Sequence, residues 1–280
     1  MSASAGISKD NYGQASMSDT RSDSNNVNDA TKPELMIHGR IATIRFRKPE
    51  YANRISPDDL LTLRDYLETV NRTEEVLVLR FVGEGKYFCS GYDISSLEAA
   101  SAPSSLFFGE TIDLIERARP VTIAAVNGGA YGGGTDLCLA CDFRIGVPAA
   151  NMFMPAAKLG LHFYSGGMAR YISRLGLNQA KRLFLTAEKI DADEMRRIGF
   201  LTEIVQGDRL VARLDELSQL LANMAPIAML GIKKHLNLIA RGQVESQDIE
   251  DGVRCSETSD DISEGALAWK EKRLPQFKGI

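Results

Sequence analysis

The chain has 280 residues, 44% hydrophobic and 25% charged, with a net charge of −4, the balance of a globular protein long enough to bury a sizeable core. That charge, without a long Lys/Arg cluster, argues against a nucleic-acid partner held by bulk electrostatics, and no apolar stretch approaches the ~20 residues that span a bilayer. The start, MSASAGISKDNYG, lacks the basic and apolar regions of a secretory signal, and Cys89, Cys138, Cys141 and Cys255 show no disulfide-scaffold spacing, so a reducing, cytoplasmic setting is expected.

Residues 1–33 hold seven Ser, four Asp and four Asn with little to bury, and read as a disordered tail. In 34–47, ELMIHGRIATIRFR, two β-like runs flank His38-Gly39 and predict a hairpin, which Pro49 ends. SPDDLLTLRDYLETV (56–70) opens with a capping Ser, a Pro and two acids, the signature of a helix start. EVLVLRFVG (75–83) reads as a buried strand, LFFGETIDLIERA (106–118) as an amphipathic helix, and PVTIAAVN (120–127) as the next buried strand. A glycine run, Gly132-Gly133-Gly134, then leads into a helix to about Ala140 and the strand DFRIGVP (142–148). This alternation predicts an α/β fold with a largely parallel sheet covered on both faces. From 177 on the pattern is helical, over 177–187, 191–199, 208–223, 226–242 and about 262–273. The organisation expected is a tail (1–33), a core (34–225) and a helical C-terminal region (226–280).

Two buried strands run into glycine-bearing loops, VGEGKYFCSGYDIS (82–95) and VNGGAYGGGTDLCLACD (126–142). In a parallel sheet the C-terminal strand ends share one edge, where ligands gather. A helix starting there presents free N–H groups and a partial positive charge, and two such N–H groups aimed at one point make an oxyanion hole. The alternative is that Gly132–Gly134 only allow close packing of strand on helix. Asp136 has two readings as well: a catalytic acid/base, or an acid that complements the helix dipole. Cys138 and Cys141 form a C-x-x-C inside an apolar helix and read as buried small residues rather than metal ligands. The glycine run lacks the Lys of a phosphate loop and fails the G-x-G-x-x-G spacing, so no nucleotide cofactor is expected.

FCSGYDISSL resembles the F-x-x-G-x-D-[LI] loop of the enoyl-CoA hydratase/isomerase (crotonase) superfamily. RPVTIAAVNGGAYGGGTDLCLACDFRIG is similar to its K-P-x-I-A-A-V-x-G-x-x-x-G-G-G-x-E-L-x-x-x-C-D segment, and FMPAAKLGL to its F-x-x-P-E-x-x-L-G. The resemblance covers roughly 34–280. It implies a crotonase-like spiral of ββα repeats with a helical C-terminal trimerisation region, the trimers often paired into hexamers. The implied substrate is an acyl-CoA thioester, with no cofactor beyond the CoA that the substrate carries. The N–H groups of Ser90 and Gly133 would hold the thioester oxygen. Tyr92, Asp93 and Ile94 would line the adenine pocket, Tyr51, Ala52 and Asn53 would border the pantetheine arm, and Gly132 and Ala156 would fall at substrate-lining positions.

A hydratase of that family positions its water with two glutamates, a task that suits opposed carboxylates. Here the first position is Asp136 and the second Ala156. Hydration of a 2-enoyl-CoA is the default reading. Isomerisation, decarboxylation, C–C hydrolysis or acyl-CoA binding without turnover are the alternatives. The loop HFYSGG, after LGL, offers two substitutes: His162 as general acid or base, and Tyr164 as a hydrogen-bond donor to a polar acyl group. Glu110, on the preceding helix, is a further candidate. For each the alternative is a residue that shapes the pocket wall, a subunit contact or a solvated helix face.

Overall fold

The computed structural model describes residues 31–93 and 104–280, so Ile94 and all but the last three residues of the expected tail lie outside the described residues. The predicted hairpin forms from β1 (Glu34–His38) and β2 (Ile41–Phe46), antiparallel, with His38 opposite Ile41. Ser56 caps α1 (Pro57–Arg72) in both directions: its hydroxyl accepts from the Asp59 N–H, and the Asp59 carboxylate accepts from the Ser56 N–H at 2.8 Å. Two N–H groups that the helix itself cannot satisfy are thereby paired. The next strand, β3 (Val78–Gly83), starts later than its apolar run, because the Val76 N–H is spent on a turn to the Thr73 carbonyl.

From here the chain winds in three similar turns. Each has a strand, a short second strand and a helix: β3, β4 (Tyr87–Cys89) and α2 (Ser105–Glu116); β5 (Val121–Val126), β6 (Gly129–Tyr131) and α3 (Gly133–Ala140); β7 (Phe143–Gly146), β8 (Asn151–Phe153) and α4 (Ser165–Leu175). The later short strands are β9 (Ile190–Asp191) and β10 (Glu203–Ile204). First strands join one six-stranded sheet, β1-β2-β3-β5-β7-β10, parallel from β2 onward; second strands join a four-stranded sheet, β4-β6-β8-β9. This is the ββα spiral that the resemblance implies. Every residue of β5 is buried, as a parallel strand covered on both faces requires.

The second sheet was invisible in the sequence because three residues are too few to establish a period. Helix α4 begins Ser-Gly-Gly, among poor helix formers, and its sequence reads as loop. The remaining helices are α5 (Leu177–Thr186), α6 (Ala192–Arg197), α7 (Leu210–Ala222), α8 (Pro226–Ala240), α9 (Ser246–Glu257) and α10 (Asp260–Glu271). Helix α9, also unread, buries no residue and contains Gly252. Lys32–Ile280 form one compact unit that includes the helical region 226–280. Helix α8 buries Lys233, whose ammonium donates to the Ala118 carbonyl at 2.8 Å and to that of Pro120, and pairs with Asp142 at 2.9 Å. Its other side leaves Ile232, Leu236 and Ile239 exposed, and Trp269 on α10 is 88% exposed.

Candidate active site

The two glycine-bearing loops meet at a cavity of about 350 Å³, lined among others by Ser90, Tyr92, Phe108, Gly133, Ala156 and Tyr164. The glycine run has separable reasons. Gly132, just before α3, sits at φ +50°, a region that side chains disfavour. A Cβ on Gly133 would stand 2.5 Å from the edge of the Phe108 ring, and one on Gly134 would overlap the Cys89 carbonyl oxygen. Close packing therefore accounts for Gly134. Gly133 does more: as the first residue of α3 it has no intrahelical acceptor for its N–H, and it lines the cavity.

The donor read at Ser90 needs correcting. Ser90 lines the cavity, but its N–H already donates to the Ala52 carbonyl at 2.9 Å. Ile55 bridges Tyr92 in parallel fashion, its N–H donating to the Gly91 carbonyl and its carbonyl accepting from Asp93. In such a bridge the N–H of the central residue, Tyr92, turns away from Ile55. The segment lies against α3: a Cβ on Gly91 would meet the Gly133 nitrogen at 2.5 Å.

Ala52 and Asn53 both have φ near +50°. The Asn53 side chain holds them there, accepting from the Lys48 N–H at 2.9 Å and donating to the carbonyls of Glu84 (2.9 Å) and Tyr87 (2.8 Å). Ala52 thus touches the site through its carbonyl. Tyr51 is 59% exposed, with the Arg54 guanidinium 4.8 Å from its ring centre. Arg54 and Asp93, ion-paired at 3.2 Å, both line the cavity. Glu110 does not line it; its carboxylate lies 3.8 Å from Arg64 on the surface.

Asp136 is fully buried on α3 and is not among the cavity-lining residues. Arg170, fully buried on α4, donates to both its oxygens: Nε to Oδ1 at 2.8 Å and Nη2 to Oδ2 at 2.7 Å. The Tyr164 hydroxyl donates to the same Oδ2 at 2.6 Å. Burial, reinforced by the Asp136 charge, pushes the Tyr164 phenol well above its ordinary value. Burial would lower Arg170, but the carboxylates around it, Asp136 foremost, raise it overall. The other Arg170 terminal nitrogen meets Asp113 at 2.5 Å and Glu116 at 3.2 Å, and Arg241, which caps the C-terminus of α8, donates to Glu116 and to the Gly166 carbonyl at 3.0 Å.

Tyr164 therefore does not donate into the cavity, as the sequence suggested; its hydrogen goes to Asp136. Phe163, half-buried, stacks on it with ring centres 4.2 Å apart. His162 is exposed, lines the cavity and places Nδ1 2.8 Å from the Phe163 carbonyl. Since a carbonyl only accepts, Nδ1 carries the hydrogen, and the neutral ring offers Nε2 as an acceptor. Arg170, Asp113 and Glu116 went unread because a buried arginine and a solvated one look alike in sequence.

A model of the enoyl-CoA hydratase/isomerase family matches residues 36–280. The chain is 32% identical over 245 residues to a crotonyl-CoA hydratase of Syntrophomonas wolfei, covering 85% of this chain and 94% of that one. It is also 32% identical over 258 residues to a carnitinyl-CoA dehydratase of Citrobacter koseri, covering 86% and 96%. Among solved structures, an enoyl-CoA hydratase from Bacillus anthracis superposes with a TM-score of 0.81 at 29% identity, covering 89% of this chain and 100% of that one.

Proposed function

The chain belongs to the enoyl-CoA hydratase/isomerase family, and from that premise we propose that it adds water reversibly across the double bond of a 2-enoyl-CoA. The observation that carries the reading is the Gly133 N–H at the start of α3, unclaimed within the helix and set in the cavity wall. A thioester oxygen placed there gains a donor and the positive end of the helix as negative charge builds on it. Ser90, whose own N–H is committed to Ala52, supplies no second backbone donor.

Two glutamates are replaced by one histidine in this scheme. His162 Nε2 takes a proton from water as the oxygen bonds to the β-carbon, and the electron pair of the double bond moves onto the thioester oxygen. The imidazolium then returns that proton to the α-carbon as the enolate collapses. One group suffices because the water's own proton is what the α-carbon receives. Asp136, behind Tyr164, orients the wall and stays out of the proton transfer. The addition is redox-neutral and calls for no cofactor beyond the CoA of the substrate.

The exposed Ile232, Leu236, Ile239 and Trp269 support a subunit contact through the C-terminal helices, as in a trimer or a dimer of trimers. The free thiols suit a reducing, cytoplasmic setting. No helix among the described residues is long and apolar enough to cross a membrane.

The test is a product-mass screen of the purified protein with crotonyl-CoA, a 3-enoyl-CoA, a malonyl-type CoA and a β-keto-acyl-CoA. Gain of one water on the 2-enoyl thioester is the expected result. An isobaric product, loss of CO2 or chain cleavage without hydration would refute it in favour of an isomerase, decarboxylase or C–C hydrolase. Tight binding with no product from any thioester would refute turnover altogether.

A further inference from the structure

We infer that the acyl end of the cavity is built as a hydrogen-bond acceptor and selects an acyl chain carrying a hydroxyl beyond the two carbons that react, with Tyr164 the specificity-determining residue. The inference rests on the acyl-CoA reading above and adds the class of acyl group. It starts from where the hydrogens are. Both Asp136 oxygens receive N–H groups from Arg170, and one also receives the Tyr164 hydroxyl. That carboxylate only accepts, so the Tyr164 hydrogen is drawn away from the cavity. What Tyr164 retains for a ligand is a lone pair on its oxygen.

The ring cannot easily turn to change this. Cβ atoms on Gly109 of α2 and Gly167 of α4 would stand 2.6 Å and 2.9 Å from it, so it fits in a slot that only these two glycines leave open. Phe108 contacts both ends of the path: its ring edge abuts Gly133, and its centre is 6.2 Å from that of Tyr164. An acyl chain whose thioester oxygen lies on Gly133 runs along Phe108 toward Tyr164. The wall beside it, Met154, Ala156, Leu159, Leu161 and Phe163, is apolar apart from His162, whose Nε2 also only accepts. In such surroundings a carbonyl facing Tyr164 would leave two acceptors opposed, whereas a hydroxyl would pair. Arg170 is not among the cavity-lining residues; it is a positioning residue that holds Asp136 in its accepting role.

The bland reading is that Tyr164 and Asp136 only tie the start of α4 to α3. Dissociation constants for hexanoyl-CoA and its 4- and 5-hydroxy and 4- and 5-oxo counterparts separate the two, since none of these can eliminate water at the β-carbon. The native protein is expected to bind the hydroxy form at least about fivefold tighter than the oxo form at one of the two positions, the ratio that one hydrogen bond supplies. Tyr164→Phe, which removes only the oxygen, should bring that ratio below about twofold, a ratio taken within one variant and so independent of any overall change in affinity. Asp136→Asn, whose amide has hydrogens to give, should lower the ratio with Tyr164 still in place. A ratio of one or less at both positions in the native protein, or a preference that survives Tyr164→Phe, overturns the inference while the acyl-CoA reading stands. Failure of every thioester to bind overturns both.

Discussion

Replacing Arg170 by Met asks what its guanidinium is worth. The side chain is fully buried amid three carboxylates, those of Asp113, Glu116 and Asp136. They are not equally dependent on it. Glu116 keeps Arg241, and Asp113 is partly exposed. Asp136 has no other cation within reach among the described residues and would be left with the Tyr164 hydroxyl alone. Stranding a fully buried carboxylate costs about 3–5 kcal/mol. At the 2–4 °C per kcal/mol typical of a chain this size, that is a fall in Tm of roughly 6–20 °C. Urea and thermal unfolding at one fixed protein concentration measure it. The double variant Arg170→Met with Asp136→Asn removes the stranded charge and should regain at least about 1 kcal/mol over Arg170→Met alone. A single variant within about 1 kcal/mol of the native protein, or a double variant worse than the single, would refute the reasoning.

His162→Ala should lower kcat for hydration by about 10²–10⁴ with little change in KM, the loss typical of a general base; steady-state kinetics that show less than tenfold remove His162 from that role. Burial pushes the Cys89 and Cys141 thiols up to about 12 and raises Cys138, while Cys255 is exposed. A disulfide reagent at about pH 8 should therefore titrate one thiol in the native protein and four after unfolding. The same three thiols have raised values in the fold. Their contribution to stability is complete below the ordinary 9.0 and is lost as pH climbs from there toward 12, so urea midpoints should fall across that alkaline window. Gly134→Ala would press a methyl into the Cys89 carbonyl, a backbone atom that cannot step aside; circular-dichroism melts should show a loss of about 1–3 kcal/mol, and an unchanged melt would mean that the loops separate at little cost.

Much of the frame was legible because it is written in long, strongly patterned segments. The hairpin, the capped α1 and the apolar runs of β3 and β5 follow from alternation, capping residues and burial on two faces. The short strands β4, β6 and β8 are held by their place in a sheet rather than by any pattern of their own, so nothing local announced them. At the site, sequence and resemblance placed Ser90, Gly133, Ala156, His162 and Tyr164, all of which line the cavity. They did not give direction. Whether the Ser90 N–H was vacant depended on the Ala52 carbonyl, 38 residues away in the chain. Whether Asp136 met the cavity depended on Arg170, in a helix whose Ser-Gly-Gly start hid it. Hydrogen-bond direction is a property of partners, and partners distant in sequence leave no mark on either residue.

Helix α8 bears on how this protein could be re-engineered. Lys233, Asn237 and the capping residue Arg241, spaced four apart, reach inward to backbone or carboxylate oxygens of Ala118, Pro120, Glu116 and Gly166, and Gly166 is two residues from Tyr164. Ile232, Leu236 and Ile239 face outward on the same helix. The outward stripe is therefore a surface on which new assemblies can be designed by exchanging side chains. The inward stripe acts as the fixed mount of the acyl-pocket wall, and any redesign that tilts or slides the helix will be felt first as a change in which acyl chains are accepted.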